Sequence, residues 1–350
     1  MIKFSQAHII GTVISYLLGV FIVPLVIAVS KKPGLVDVPN ERKIHSRPIS
    51  RLGGIAIWSS TILTFFALVL LSYYPSGSYL SGILLGSSLM FLLGLVDDIY
   101  QLRAKFKFII QFLIASIVFL LGIKINVLFN PFGDPIQLNV VISYIVTVLW
   151  LVGISNAVNF IDGVDGLAGS IITISAVTLG LVSTTISPNT ISALIAFILA
   201  GAALAFLTFN FNPAKIFMGD SGALFCGFLL ATLSITGIIE GSSIGIVIPM
   251  FILAIPIIDI IFSSSRRILK GVSPFKADAE HIHHKLLHAG FSQNKIVLIL
   301  VSISLAFGAL AAILMKTSLS KYGLYAFILL LIMAVLGIHA KQTYKTDNEE

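Results

Sequence analysis

The sequence has little charge. Its 350 residues include 22 Lys and Arg and 15 Asp and Glu, 11% in all, where a soluble domain carries about 25%. With 57% of residues hydrophobic, too few polar side chains remain to clothe a water-facing surface, so a soluble fold is excluded. An intrinsically disordered chain, which needs low hydrophobicity and high charge, is excluded by the same figures. Cys226 is the only cysteine, so neither a disulfide framework nor a thiolate-rich zinc site is available. Basic stripes interleaved with aromatics are missing as well, which leaves no footprint for nucleic acid.

What the sequence does have is long apolar runs. They lie near 7–30, 52–73, 80–96, 107–123, 139–156, 167–186, 190–210, 221–239, 244–264, 296–315 and 322–340. Each is about 20 residues long, the length of a membrane-crossing helix, and none is an alternating ten-residue strand. The expected fold class is all-α: a polytopic integral membrane protein of about 11 transmembrane helices in a lipid bilayer. Spans of that number and length take up roughly 220 positions. The rest suffices only for tails and connections, so residues 1–350 are read as a single transmembrane domain. The first run follows Lys3 without a small-residue cleavage site and is read as a retained helix.

Numbering the two sides alternately divides the 22 bases 18 to 4. The positive-inside rule then makes the richer side cytoplasmic, with the N-terminus outside and the C-terminus inside. The acids follow the bases, 13 of 15 on the same side, although that rule is nearly indifferent to acids. An Asp within the apolar slab costs about 2.5–3.5 kcal/mol on insertion scales. Carboxylates repeated at one end of several spans therefore point to a site.

Four segments carry that chemistry. The third run ends in Asp97-Asp98 and is followed by Arg103, Lys105 and Lys107. Adjacent carboxylates and bases suit a hard cation and a phosphate together, and a solvated helix end accounts for them equally well. Next comes Asn156-x-x-Asn159-x-x-Asp162-Gly163-x-Asp165-Gly166. On a straight helix, steps of three residues would fan these side chains over about 180°, and the two glycines let the backbone turn back. The third segment, Gly219-Asp220-Ser221-Gly222, opens a span, where Asp220 reads as a helix N-cap or as a metal ligand beside phosphate. The last runs from Arg266 to His281-Ile282-His283-His284 and His288. His281, His284 and His288 could share a helix face, but without thiols or an HExxH order a sugar- or phosphate-contacting loop fits better than zinc. Asp259, in a Pro-flanked span, is read as orienting a neighbour or lining a cavity, and Trp58 and Trp150 as interfacial anchors.

With these motifs the chain resembles the polyprenyl-phosphate N-acetylhexosamine-1-phosphate transferases, a family of integral membrane enzymes that use Mg²⁺. The likeness extends to Asp37-Val38-Pro39-Asn40-Glu41-Arg42-Lys43-Ile44-His45 and Arg51-Leu52-Gly53-Gly54, and so covers nearly the whole chain. It implies transfer of a sugar-1-phosphate from a UDP-sugar to a polyprenyl phosphate, with release of UMP. His281-Ile282-His283-His284 looks like the bacterial branch that uses UDP-GlcNAc and undecaprenyl phosphate. That branch begins O-antigen, common antigen or teichoic acid synthesis at the inner membrane. The phospho-MurNAc-pentapeptide transferases of peptidoglycan synthesis are the alternative, though they typically have three consecutive histidines where Ile282 intervenes here.

By the same resemblance, Asp97, Asp98, Lys107 and Asp162 are catalytic, and Asp220 with Asn159 holds Mg²⁺, with Mn²⁺ as a substitute. Asp165, Asn210 and Phe217 fall at nucleotide positions. Asn156, Arg266, His281, His283 and His284 contact sugar or phosphate. The active site is expected to form from loops at about 31–51, 97–107, 156–166, 211–220 and 265–295, with a homodimer left open. An ion-coupled transporter is the reading from a different class, since intramembrane acids also mark transport paths; transporters place them near the midplane in repeated halves, and no repeat is visible here.

Overall fold

The computed structural model describes residues 6–30, 36–37, 48–71, 79–130, 134–186, 191–239, 245–269, 271 and 281–316. The last apolar run, most of the 37–45 motif and the approach to His281 from residue 272 lie outside the described residues.

The chain is helical. In order come α1 (Gln6–Val29), β1 (Val36–Asp37), β2 (Ile49–Ser50), α2 (Gly53–Leu70), α3 (Leu80–Tyr100), α4 (Ala104–Leu120), β3 (Val127–Leu128), β4 (Ile136–Gln137) and α5 (Val140–Ile161). Then follow α6 (Leu167–Ile186), α7 (Ile191–Asn210), α8 (Gly219–Ser234) with a π turn at Ile235–Ile239, α9 (Val247–Ile252), α10 (Ala254–Leu269), α11 (Ile282–His288) and α12 (Gln293–Lys316). Eight of these segments are long and apolar enough to cross a membrane, and the protein is a polytopic membrane protein. The fourth run forms α4, of 17 residues. The ninth is divided into α9 and α10 at Leu253.

That division has a local cause. Pro256 has no N–H to offer the carbonyl four residues back, at Ile252. The hydroxyl of Ser175, from α6, donates to that carbonyl at 3.1 Å, which restores the missing bond inside the bundle.

Burial ranks the helices. In the α8 segment 94% of the apolar window is buried inside the protein, against 17% in α1, so α8 is central and α1 faces lipid. Small residues let α1 approach α7. A Cβ on Gly201 would come within 2.3 Å of the Thr12 carbonyl, and one on Gly19 within 2.5 Å of the Ala205 Cβ. The tryptophans also join helices, which differs from the anchoring role expected of them. Trp58 stacks on Phe91 at 4.6 Å and donates to Ser88 at 3.1 Å, and Trp150 donates to Ser234 at 3.1 Å.

Candidate active site

The first turn of α8 is the centre of the site, and backbone from two other elements holds it. Phe217 N donates to Ser50 O at 2.7 Å, then Gly53 N to Phe217 O and Gly54 N to Met218 O, both at 2.9 Å. Residues 50–54 and 216–218 are thereby zipped side by side, with the first turns of α2 and α8 in contact. Glycine is required at the hinge. Gly219 has φ +71°, and a Cβ there would lie 2.1 Å from the Arg51 carbonyl and under 3 Å from both Asp98 carboxylate oxygens. From α3, Gly94 meets the same turn, where a Cβ would stand 2.4 Å from Asp220 O.

Asp97 and Asp98, adjacent in sequence, point to different partners. Asp98 accepts from Asp220 N at 2.7 Å and from Ser221 N at 3.0 Å, so it caps α8 from a neighbouring helix. The α8 N-cap position itself is Met218, which offers no side-chain bond. Asp220, read above as N-cap or ligand, therefore lies inside the helix, with its carboxylate free to face outward. Asp97 accepts from Leu102 N at 2.7 Å, where the chain turns from α3 into α4, and from Lys107 Nζ at 2.8 Å. Lys107 also pairs with Asp220 Oδ2, while Asn159 Nδ2 donates to Asp220 Oδ1 at 3.0 Å. Ends of α3, α4, α5 and α8 thus meet at one carboxylate.

The four residues of the Asn-Asp segment diverge. Asn156 is 5% exposed, and its amide donates to Gln111 Oε1 at 2.6 Å and to Val152 O at 2.8 Å. Both its hydrogens are taken inside the bundle, which differs from the substrate contact expected of it. Asn159 reaches Asp220. Asp162 makes no side-chain hydrogen bond among the described residues. Burial first, then the negative charges of Asp220, Asp98 and Asp165, push its pKa up to about 7. Asp165 turns to the next connection, accepting from Asn212 Nδ2 at 3.0 Å and Ala214 N at 3.1 Å. Gly166, at φ +79°, gives the backbone its reversal. Asn210 ties the same connection: its Oδ1 accepts from Gly166 N at 3.0 Å and its Nδ2 donates to Ile216 O at 2.8 Å. Phe217 is half-buried beside them. Asp165 and Asn210 therefore both hold the connection between α7 and α8 in place.

The histidines cover the 162–166 turn. His281 stacks on Phe160 at 5.1 Å. His283 lies against Gly163, where a Cβ would be 2.2 Å from its Nε2. Burial, followed by the neighbouring His284, pulls the His283 pKa down to about 4, so this ring is neutral at physiological pH. Of the expected face of His281, His284 and His288, the first two rings are neighbours at 6.5 Å, while burial falls along it from His281, which is buried, to His288, which is exposed. Arg266 is buried in the last turn of α10.

A cation at this site would meet oxygen donors, chiefly the Asp220 carboxylate with the Asn159 carboxamide beside it. Among the described residues no three His, Cys, Asp or Glu side chains group around a metal position, so phosphate or water would complete the shell. Mg²⁺ is commonly held in that way.

Residues 80–238, which include Asp97, Asp98, Lys107, Asn159 and Asp220, match the model of glycosyl transferase family 4. The chain is 36% identical over 332 residues to a probable undecaprenyl-phosphate N-acetylglucosaminyl 1-phosphate transferase of Bacillus subtilis, covering 94% of this chain and 91% of the relative. The chain belongs to glycosyl transferase family 4. The undecaprenyl-phosphate alpha-N-acetylglucosaminyl 1-phosphate transferase of Escherichia coli K12 is 31% identical over 294 residues, covering 81% of this chain and 77% of that one. A decaprenyl-phosphate N-acetylglucosaminephosphotransferase of Mycobacterium leprae is 34% identical over 308 residues, covering 79% and 77%.

Membership of family 4 displaces the transporter reading. The family 4 site also has residues that motif reading missed. Gln111 was visible as a lone carboxamide in an apolar run four residues beyond Lys107. Asn212, which holds Asp165 and also donates to Gln293 Oε1 at 3.1 Å, had no signal beyond a turn-forming Asn-Pro.

Proposed function

We propose that the protein transfers GlcNAc-1-phosphate from UDP-GlcNAc to undecaprenyl phosphate, using Mg²⁺ and releasing UMP. The reading places this reaction at the cytoplasmic face of a bacterial inner membrane, as the first membrane step of a cell-surface polysaccharide. The observation that carries it is the convergence of Lys107, Asn159 and the Asp98-capped first turn of α8 on Asp220, in a family 4 glycosyl transferase. The names of the relatives supply the sugar and the polyprenyl acceptor. The division of bases, 18 to 4, supports the orientation.

In this reaction an oxygen of the lipid phosphate attacks the β-phosphorus of the nucleotide sugar, and the bond from that phosphorus to the bridging oxygen breaks, leaving UMP. Both reactants are anions, so positioning and charge neutralisation dominate the barrier. Lys107, steadied by Asp97 on one side, turns its ammonium to the diphosphate. Asp220 and Asn159 would hold Mg²⁺, which when bound would neutralise phosphoryl oxygens. A phosphate monoester has its second pKa at about 6, so the nucleophile needs no strong base at pH 7. Asp162, titrating near neutrality, holds or releases a proton beside Asp220. Asp98, with both oxygens on backbone N–H groups, positions α8. The histidine segment closes over the sugar-phosphate. We favour single displacement over an aspartyl-phosphate route.

A panel of radiolabelled sugar nucleotides, with undecaprenyl phosphate and Mg²⁺, tests this reading on purified protein. Label should enter lipid from UDP-GlcNAc with stoichiometric UMP, and Asp220→Asn should abolish turnover. Transfer from UDP-MurNAc-pentapeptide in preference, or near-normal turnover by Asp220→Asn, would overturn the corresponding part.

A further inference from the structure

Asp259 lies within α10 and is 2% exposed. A buried carboxylate needs hydrogen-bond partners. Among the described residues Asp259 has two, both from the segment that opens α11. Its Oδ2 is 2.8 Å from His281 Nδ1, and its Oδ1 accepts from Ile282 N at 2.8 Å. His281 is itself buried. Its ring stacks on Phe160, two residues before Asp162, and lies nearly parallel to His283 at 5.8 Å and 9°. His283 in turn covers Gly163. A carboxylate accepts hydrogen bonds, so this contact fits a His281 that carries a proton on Nδ1 and donates it to Asp259.

We propose that Asp259 is a positioning residue for the transfer reaction: it locks His281 with Nδ1 protonated and fixes the start of α11, so that the Nε2 end of His281 and the ring of His283 are laid against the Phe160–Gly163 turn. Its consequence for catalysis rests on the transferase reading of this site; its consequence for the imidazole does not. Replacement by asparagine makes the device visible. Ile282 N can only donate, so the asparagine oxygen stays with it and the amide NH₂ faces Nδ1. That nitrogen must then accept, and the ring proton moves to Nε2.

The test uses the full chain labelled with ¹⁵N-histidine, with His281→Gln to assign the signal. Wild-type His281 should carry its proton on Nδ1, and Asp259→Asn should shift it to Nε2. In turnover with UDP-GlcNAc, Asp259→Asn should lower kcat/KM by about tenfold or more, and the double variant Asp259→Asn, His281→Gln should fall no further than His281→Gln alone, since residues acting as one unit are not additive. A wild-type His281 bearing its proton only on Nε2, or penalties that simply add, would overturn the proposal. The wild-type tautomer is read without any change at Asp259 and without turnover. A failure of the UDP-GlcNAc reading would appear separately, as wild-type protein inactive with that donor.

Discussion

Asp98→Ala separates a positioning carboxylate from a reacting one. In the structure it removes two hydrogen bonds, from Asp220 N at 2.7 Å and Ser221 N at 3.0 Å. Bonds to a charged group contribute about 1.5–3 kcal/mol each. Asp98 is half-buried, so water can replace part of what is lost and the lower figure applies, giving about 3 kcal/mol for the pair. That is above the ~1 kcal/mol typical of a helix cap, because both N–H groups lie at the crowded contact of α3 with α8. A loss of this size lowers the melting temperature by on the order of 5–10 °C. Thermal melting of purified protein in detergent, run beside turnover, is the measurement. Asp97→Asn is the control, since its main partner is the Lys107 ammonium and not the α8 backbone. Both variants should lose turnover, but only Asp98→Ala should melt early. If Asp98→Ala melts with the wild type while turnover collapses, the two bonds do not hold α8, and Asp98 acts on the reactants themselves.

Gln111→Leu should lower the melting temperature by an amount equivalent to about 1–3 kcal/mol, because it strips a buried acceptor from Asn156; replacing both residues by leucine should recover much of the loss, since a matched apolar pair leaves no orphan. Gly219→Ala should yield little active protein in a turnover assay of purified membranes, with φ at +71° and a Cβ 2.1 Å from the Arg51 carbonyl. Asp162, raised to about 7 from an unfolded value near 3.9, binds more protons in the folded state between those values. Its favourable contribution is therefore complete below about pH 4 and is lost as pH rises toward 7. Asp162→Asn should accordingly gain in melting temperature relative to the wild type between pH 5 and 8, and a difference that stays flat with pH would refute the raised value.

The membrane architecture was legible because lipid imposes a run length on each helix, and ten of the expected runs are helical where the structure describes them. Less legible was the direction each polar side chain takes. Consecutive residues on a helix point about 100° apart, so Asp97 and Asp98 cannot share a partner. Deciding which one meets Lys107 requires the packing of α3 on α4 and α8. The helix sends Asn156 to Gln111 and Asn159 to Asp220, and beyond its end Asp165 turns to Asn212. Gln111 was hidden because a single carboxamide in an apolar run has no motif; its meaning comes from Asn156 on another helix. Asp220 was found by type and neighbours, yet its N-cap reading failed because the cap comes from 122 residues away in sequence.

The gathering of acids at one end of the bundle now divides into two causes. Asp97 accepts from Leu102 N, Asp98 from Asp220 and Ser221 N, Asp165 from Ala214 N, and Asp259 from Ile282 N. Each of these four holds backbone where the chain leaves one helix or starts another, and there, at the edge of the bilayer, unpaired N–H groups are costly. Of the six acids at that end whose side chains are described, these four therefore do structural work, Asp97 beside its pairing with Lys107. Asp220 and Asp162 are different: neither carboxylate accepts a backbone N–H among the described residues, and both face the space onto which the others' anchored segments converge. A helix-bundle protein that must present flexible, polar backbone at its rim needs such anchors in any case. The pair left over, one held by Lys107 and Asn159 and the other with its pKa raised to about 7, anchors no backbone among the described residues, and it is this pair that the proposed chemistry on a phosphate would use.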